Sequence, residues 1–150
     1  MPDTAFNYVM SKKDYDKISK SQKSLPGNVK VSVDVSGKEF SRIMSGCMLV
    51  VMPLDTQAPA GLLVFYEAAS KGKLIVTSDT VTTREYFTDG RGILCGNDVQ
   101  EWADKISYYL NNPDEAGTIS ENCLSYLKEE CSVNKYQEIL SGIVTHAINS

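Results

Sequence analysis

The segment from residue 49 to residue 79 constrains the fold of this chain more than any other stretch. Residues 49–54 form a short apolar run with adjacent valines, which is typical of a strand covered on both faces. Residues 60–72 carry apolar side chains at helical spacing and end at a glycine, so they predict a helix. Residues 73–78 predict a second buried strand, and together these parts predict a strand–helix–strand unit with parallel strands.

The start of this helix is suited to binding an anion. Pro59 pre-sets the backbone for a helix entry, and Gly61 in the first turn lets a ligand approach the backbone. Backbone N–H groups and the helix dipole favour a phosphate there. Glu67 follows about two turns later, on the order of 10 Å along the axis, within reach of ribose hydroxyls. On spacing alone the commoner explanation is that Glu67 is solvated and Gly61 is a packing residue.

The rest of the chain alternates between strand and helix patterns. Valines alternate with polar residues over residues 29–35, which indicates an exposed or edge strand. The other predicted strands are residues 6–10 and 92–96, and the other predicted helices are residues 12–21, 38–46, 99–110, 114–128 and 133–148. Residues 80–88 predict a loop and a short helix. We therefore predict one Rossmann-like α/β domain over residues 1–150, with a parallel sheet of about five strands, helices on both faces and a helical C-terminal extension.

The composition argues against several classes of function. A net charge of −4 and a pI near 5.0 argue against nonspecific nucleic-acid binding, which needs a basic surface. No apolar run approaches the roughly twenty residues of a membrane-spanning helix, and the first residues lack the regions of a signal peptide. The cysteines show no CxxC pair and no Cys/His metal spacing, so we expect reduced thiols, no metal site and a cytoplasmic protein.

Other catalytic patterns are absent or weak in the sequence. His146 is the only histidine and lies in the predicted last helix, where it is expected to be a surface residue. The sequence contains no GxSxG, Walker or GxGxxG motif, which argues against serine hydrolase chemistry, nucleotide hydrolysis and hydride transfer. Arg84 and Glu85 are expected to form a solvated pair near the rim of the anion site.

Twelve short motifs, taken in their order and spacing, resemble the donor-sugar half of the group 1 glycosyltransferases. They span nearly the whole chain and are Leu25-Pro26-Gly27-Asn28-Val29, Lys38-Glu39-Phe40, Pro53-Leu54, Ala60-Gly61-Leu62, Tyr66-Glu67-Ala68, Gly72-Lys73, Val76-Thr77-Ser78-Asp79, Arg84-Glu85-Tyr86, Asp89-Gly90, Gly92-Ile93-Leu94, Asp98 and Trp102. The resemblance implies the C-terminal domain of an enzyme with the two-domain GT-B fold, which transfers a sugar in polysaccharide or glycan assembly.

The resemblance also implies a ligand and its binding residues. The ligand is a nucleotide-diphosphate sugar, which is a substrate, and no cofactor is implied. The implied donor-binding residues are Ala60, Gly61, Leu62, Leu63, Glu67 and Val35. The first four supply backbone donors to the diphosphate, Glu67 orients the ribose, and the turn at Val35 contacts the base. The family usually has a glutamate that contacts the transferred sugar where this chain has Pro59, and no catalytic residue is assigned.

The resemblance places the general base and the acceptor site in an N-terminal domain that this sequence lacks. The chain by itself is therefore expected to bind a donor without turning it over, and the full enzyme is expected in the cytoplasm, at the membrane face. The last helix of the family packs on that other domain. Residues 133–148 are therefore expected to leave an apolar face uncovered, which favours fraying or a homodimer through the C-terminal helices.

The strand order follows from the same resemblance. The family domain has the order 3-2-1-4-5-6, and this chain begins at the equivalent of its second strand. Closure of the gap left by the missing central strand predicts the order 2-1-3-4-5. Residues 6–10 would then pair with both residues 29–33 and residues 49–52. A dimer that donates strands across the gap is the alternative.

A second class of function also fits a doubly wound fold. A flavodoxin-like binding or response module would need an acidic cluster at the ends of its early strands. Asp34 and Asp55 do follow predicted strands, but no tight pair of aspartates follows the first one. The sequence therefore favours the glycosyltransferase over this alternative.

Overall fold

The computed structural model describes residues 1–21, 25–55 and 61–148 of the chain. The chain divides into two compact units, Met1–Gly46 and Cys47–Ser150. Strands within each unit are parallel and are joined by helices. Parallel strands with helices on both sides confirm the predicted α/β class. The single domain predicted for residues 1–150 stays a prediction.

The first unit contains two strand–helix pairs, β1 (Phe6–Met10), α1 (Lys12–Ser21), β2 (Val29–Val33) and α2 (Gly37–Gly46). The two strands are parallel, with Met10 opposite Val33 at their carboxyl ends. Asp34 ties these ends together, because its N–H donates to the Met10 carbonyl at 3.0 Å and its Oδ1 accepts from the Lys12 N–H at 2.9 Å. Its φ of 48° is a left-handed conformation that aspartate tolerates better than most residues.

The second unit contains the predicted strand–helix–strand segment. Its elements are β3 (Leu49–Met52), α3 (Leu62–Ser70), β4 (Leu74–Ser78), α4 (Val81–Phe87), β5 (Ile93–Cys95), α5 (Val99–Asn111), α6 (Pro113–Glu130) and α7 (Val133–Ile148). The strands form a parallel sheet in the order β3-β4-β5. The first four residues of β4 are buried, so β4 is the covered strand that its apolar sequence predicted.

The core of the second unit lies where α3 packs against β4 and α6. Phe65 of α3 is 1% exposed, and its ring meets the Phe87 ring of α4 edge-on at a centroid distance of 5.1 Å. Ala68 and Ala69 are also buried, and their small side chains let α3 approach its neighbours closely. Burial raises the pKa of the Cys123 thiol on α6 to about 11, so this thiol is protonated at neutral pH and serves packing.

The prediction of one five-stranded sheet in the order 2-1-3-4-5 is wrong, because the strands form a two-stranded sheet and a three-stranded sheet. β1 pairs with β2 as predicted, but the predicted pairing of β1 with β3 is not formed. The prediction assumed that an unpaired strand edge would be confined to a dry gap. Asn7 and Tyr8 of β1 are exposed, so this strand is not confined to a dry interior and closure of the gap is not required.

The last helix presents an uncovered apolar surface. Every residue of α7 lies within the described range, and none of them is buried. Its exposed apolar side chains are Val133, Tyr136, Ile139, Leu140, Ile143, Val144 and Ile148. Most of these recur at helical spacing and form one face, which confirms the uncovered face expected for this helix.

The exposure of α7 predicts that this helix opens more readily than the sheet. Because no residue of α7 is buried, packing contributes little to the stability of this helix. The strand β4, by contrast, is held by buried contacts on both sides. In hydrogen exchange of the monomeric chain, the amides of α7 should exchange at least about tenfold faster than those of β4. Uniformly slow exchange through α7 in a proven monomer would contradict this prediction.

Close packing at Gly92 generates a second prediction. A Cβ at this position would overlap the ring of the buried Phe87, so Gly92→Ala should lower the free energy of unfolding by roughly 1–3 kcal/mol. Gly117→Ala on α6 is the matched control, because its added Cβ meets no atom within 4 Å. Alanine there should stabilise the helix by about 1 kcal/mol. Urea unfolding of both variants measures these changes. A Gly92→Ala variant that unfolds at the same urea concentration as wild type would contradict the prediction.

Candidate functional site

The start of α3 lies at the carboxyl end of β3, where open α/β sheets bind ligands. Gly61 is the N-cap residue of α3, and no side chain caps the helix there. Its φ of 75° is left-handed, which explains why the residue is glycine. A Cβ would lie 3.5 Å from the Met52 Cε and 3.6 Å from the nearer Cδ of Leu54, so it would face packed side chains. The backbone conformation therefore accounts for this glycine without any ligand.

Two more of the predicted diphosphate ligands begin the helix itself. Leu62 and Leu63 are its first residues, and the first N–H groups of a helix have no partner within the helix. The Leu63 side chain is 87% exposed, so the helix start is open to solvent on that side. Ala60 and Pro59 lie outside the described residues.

Glu67 lies one turn after Leu63 on the same face of α3. Its side chain is 35% exposed and forms an ion pair with the Lys71 Nζ at 3.3 Å. A partly exposed pair of this length contributes little free energy, so the carboxylate can exchange this partner for another donor.

Val35 lies in the first unit, between β2 and α2, and is half-buried. The neighbouring Ser36 caps α2, because its Oγ accepts a hydrogen bond from the Glu39 N–H at 3.2 Å. Val35 is therefore held in a defined turn at the carboxyl end of β2. The other described residues of the predicted site, from Gly61 to Glu67, belong to the second unit.

The expected pair between Arg84 and Glu85 is replaced by an ion pair of Arg84 with Asp79. The Arg84 Nε and Nη2 donate to the two carboxylate oxygens of Asp79 at 2.5 and 2.8 Å. These hydrogen bonds lower the pKa of the Asp79 carboxyl, so it is ionised at neutral pH. The Thr80–Thr83 capping box fixes the start of α4, with Asp79 just before the cap and Arg84 in the helix, and so brings the two side chains together. The spacing of this box was the sequence signal that could have revealed the pair.

A second charged pair closes the carboxyl end of β5. The Lys105 Nζ donates to the Leu94 carbonyl and to the Glu101 Oε1, each at 2.6 Å. The other oxygen of Glu101 accepts from the Gly96 N–H at 2.9 Å. Hydrogen bonds from Lys105 and Gly96 lower the pKa of the Glu101 carboxyl. Both charges are thus bound to backbone groups of this turn and serve its structure.

The described residues contain no group of three or more side chains suited to hold a metal ion. No helix among them has both the length and the apolar character that a membrane span requires.

The comparison with protein families decides what kind of chain this is. A family described as "Glycosyl transferase-like" matches residues 8–141. The chain belongs to this family. The resemblance to the C-terminal domain of a GT-B glycosyltransferase is thereby confirmed for this glycosyltransferase-like chain.

Solved structures with a similar fold include HepE from Anabaena in complex with UDP-glucose and in complex with UDP. Both are 21% identical to this glycosyltransferase-like chain, with a TM-score of 0.75, and cover 97% of it. A third HepE structure, with UDP and glucose, has a TM-score of 0.72 at 21% identity and covers 94%. The chain spans 40–42% of the length of these HepE chains. Among curated proteins, no match was found.

The left-handed backbone of Gly61 generates a prediction about the helix start. Gly61→Ala should lower the free energy of unfolding by about 1–2 kcal/mol, because only glycine adopts this conformation without strain. Gly61→Asn is the matched control, since asparagine tolerates the same conformation and should cost less than alanine. Urea unfolding of the two variants provides the test. If Gly61→Ala has a higher free energy of unfolding than Gly61→Asn, the conformational explanation is wrong.

Proposed function

We propose that this chain is the donor-binding part of a glycosyltransferase, which transfers a sugar from a nucleotide-diphosphate sugar to an acceptor in polysaccharide or glycan assembly. The observation that carries the proposal is the family match over residues 8–141. The similar HepE structures contain UDP-glucose or UDP, which supports a nucleotide sugar as the ligand here. The nucleotide sugar is a substrate, and the proposal includes no cofactor.

The diphosphate would bind at the start of α3. Residues Ala60 to Leu63 would offer backbone N–H groups, and the helix dipole adds partial positive charge. When the sugar–phosphate bond breaks, negative charge develops on the leaving diphosphate. Fixed backbone N–H groups stabilise this developing charge more than they stabilise the bound nucleotide sugar. This difference lowers the activation barrier of the transfer.

The ribose would bind along the exposed face of α3. Glu67 would accept hydrogen bonds from ribose hydroxyls and release Lys71, which is weakly paired at 3.3 Å. Val35 belongs to the first unit, where the Ser36 cap holds its turn, and its predicted contact with the nucleotide base stays a prediction.

The general base and the acceptor site would belong to another part of the enzyme. The chain covers only 42% of the HepE chain, which leaves room in such an enzyme for an acceptor domain. We therefore expect the chain alone to bind donor without turnover. The uncovered face of α7 would pack on that domain or, in the isolated chain, on a second copy.

The alternative of a flavodoxin-like module without enzymatic activity is not favoured. Such a module needs an acidic cluster at one sheet edge. Asp34 and Asp55 belong to different units, and the Asp34 carboxylate already accepts from the Lys12 N–H at 2.9 Å.

Titration of UDP and GDP into the chain tests the proposed function. We expect weak binding of at least one nucleotide, with a loss of about tenfold in Glu67→Ala, within the 1–3 kcal/mol range for an unpaired buried donor. Lys71→Ala removes the ion-pair partner but keeps the carboxylate, so it should bind at least as well as wild type. Glu121→Ala on α6 is the matched control for loss of an exposed carboxylate.

The outcomes separate the parts of the proposal. Equal binding by wild type and Glu67→Ala would remove Glu67 from the site. Binding of neither UDP nor GDP by wild type would overturn the donor-binding function itself.

A further inference from the structure

The Asp79–Arg84 ion pair lies at the place where the chain leaves β3 for α3. Asp79 directly follows β4, whose Thr77 is opposite Met52 at the end of β3. The Ser78 Oγ accepts a hydrogen bond from the Leu54 N–H at 2.8 Å, which holds the exits of the two strands together. The pair therefore borders the same edge of the sheet as the start of α3.

The fold does not depend on this pair. The turn after β4 is held by the Asp79 N–H, which donates to the Cys95 carbonyl at 2.8 Å, and by the Thr80–Thr83 capping box. The Arg84 side chain is 62% exposed, and exposed ion pairs contribute little to stability. Its Nε and Nη2 bind Asp79, whereas its Nη1 makes no hydrogen bond with the described residues. Asp79 thus orients a guanidinium whose remaining donors face solvent.

Arg84 differs from the other basic residues near the strand ends of this unit. Lys71, Lys73 and Arg91 precede strands and so lie near the amino ends. At the carboxyl ends, Lys105 is bound to the Leu94 carbonyl and to Glu101. Among the described basic residues at this edge, Arg84 is therefore the one whose side-chain nitrogen atoms are not all bound within the protein.

The surrounding charge indicates which ligand suits the pair. Asp55, Asp79, Asp98 and Glu101 all follow strands at this edge, which makes it acidic despite Arg84 and Lys105. Asp79 neutralises the charge of the Arg84 guanidinium, so this pair attracts a phosphate less than an unpaired arginine would and can bind uncharged groups. A carboxylate accepts and a guanidinium donates hydrogen bonds, and neighbouring hydroxyls of a sugar ring can do both. A sugar ring therefore matches the pair better than a phosphate does.

We propose that Asp79 and Arg84 bind hydroxyls of the transferred sugar and so tighten the binding of the sugar nucleotide. This inference rests on the proposed function, because the sugar reaches this edge only when the nucleotide is bound at α3. Asp79 accepts from one hydroxyl, and the Arg84 Nη1 donates to a neighbouring one. The pair acts in binding and takes no part in proton transfer.

The test compares sugar nucleotides with their free nucleotides. UDP, UDP-glucose, UDP-N-acetylglucosamine, GDP and GDP-mannose are titrated into wild type, Asp79→Asn and Arg84→Gln. In wild type, at least one sugar nucleotide should bind about fivefold or more tighter than its free nucleotide, as one or two charge-assisted hydrogen bonds allow. In both variants this preference should fall to about one, with binding of the free nucleotide unchanged.

Arg42→Gln provides the matched control. Arg42 forms an equally exposed bidentate pair with Glu39 on α2, at 2.9 and 2.6 Å, and its loss should leave the preference unchanged. Circular dichroism of every variant confirms that the fold is retained.

Several results would overturn the inference while leaving the proposed function intact. One is an equal loss for free and sugar nucleotides, which would mean that Arg84 contacts the diphosphate. Others are an unchanged preference in both variants, or a wild type that prefers no sugar nucleotide. If wild type binds no nucleotide at all, the proposed function fails and this inference fails with it.

Discussion

The second unit depends on the burial of the first four residues of β4. Val76 and Thr77 are 0% exposed, and the strand pairs with β3 on one side and with β5 on the other. A buried hydroxyl must be satisfied inside the core, and the Thr77 Oγ1 donates to the Met52 carbonyl at 3.0 Å. Ser78 then binds the Leu54 N–H. The end of β4 thus holds the exit of β3, and this places the start of α3 and the turn before α4 at one edge of the sheet.

The charged pairs at this edge differ in how firmly they are attached. Glu101 and Lys105 each bind a backbone group as well as each other, so they close the turn after β5. Among the described residues, the side chains of Asp79 and Arg84 form hydrogen bonds only with each other. The first pair is part of the scaffold, and the second is the exposed pair to which we assign binding of the sugar.

Much of the local structure could be predicted from sequence because its signals are local. The predicted strand at residues 6–10 and the predicted helices at residues 12–21 and 133–148 coincide with β1, α1 and α7. Periodicity reports whether a segment is extended or helical, and it requires no knowledge of neighbours. The order and spacing of short motifs predicted the family, which the match over residues 8–141 shows. The sequence also indicated that Gly61 is a special position at the helix start, where it was expected to let a ligand approach. In the structure, its left-handed backbone explains why this residue is glycine.

Only the tertiary structure decided which elements and side chains meet. Two sheets form where one was predicted, because the second neighbour of β1 depends on packing and solvent access and not on its own sequence. Arg84 pairs with Asp79 instead of Glu85, because α4 begins directly after β4 and places Arg84 one turn beyond Asp79. The sequence by itself determined the elements, the covered strand and the family. The tertiary structure determined the partners, since hydrogen bonds across a fold depend on distances that residue spacing does not contain.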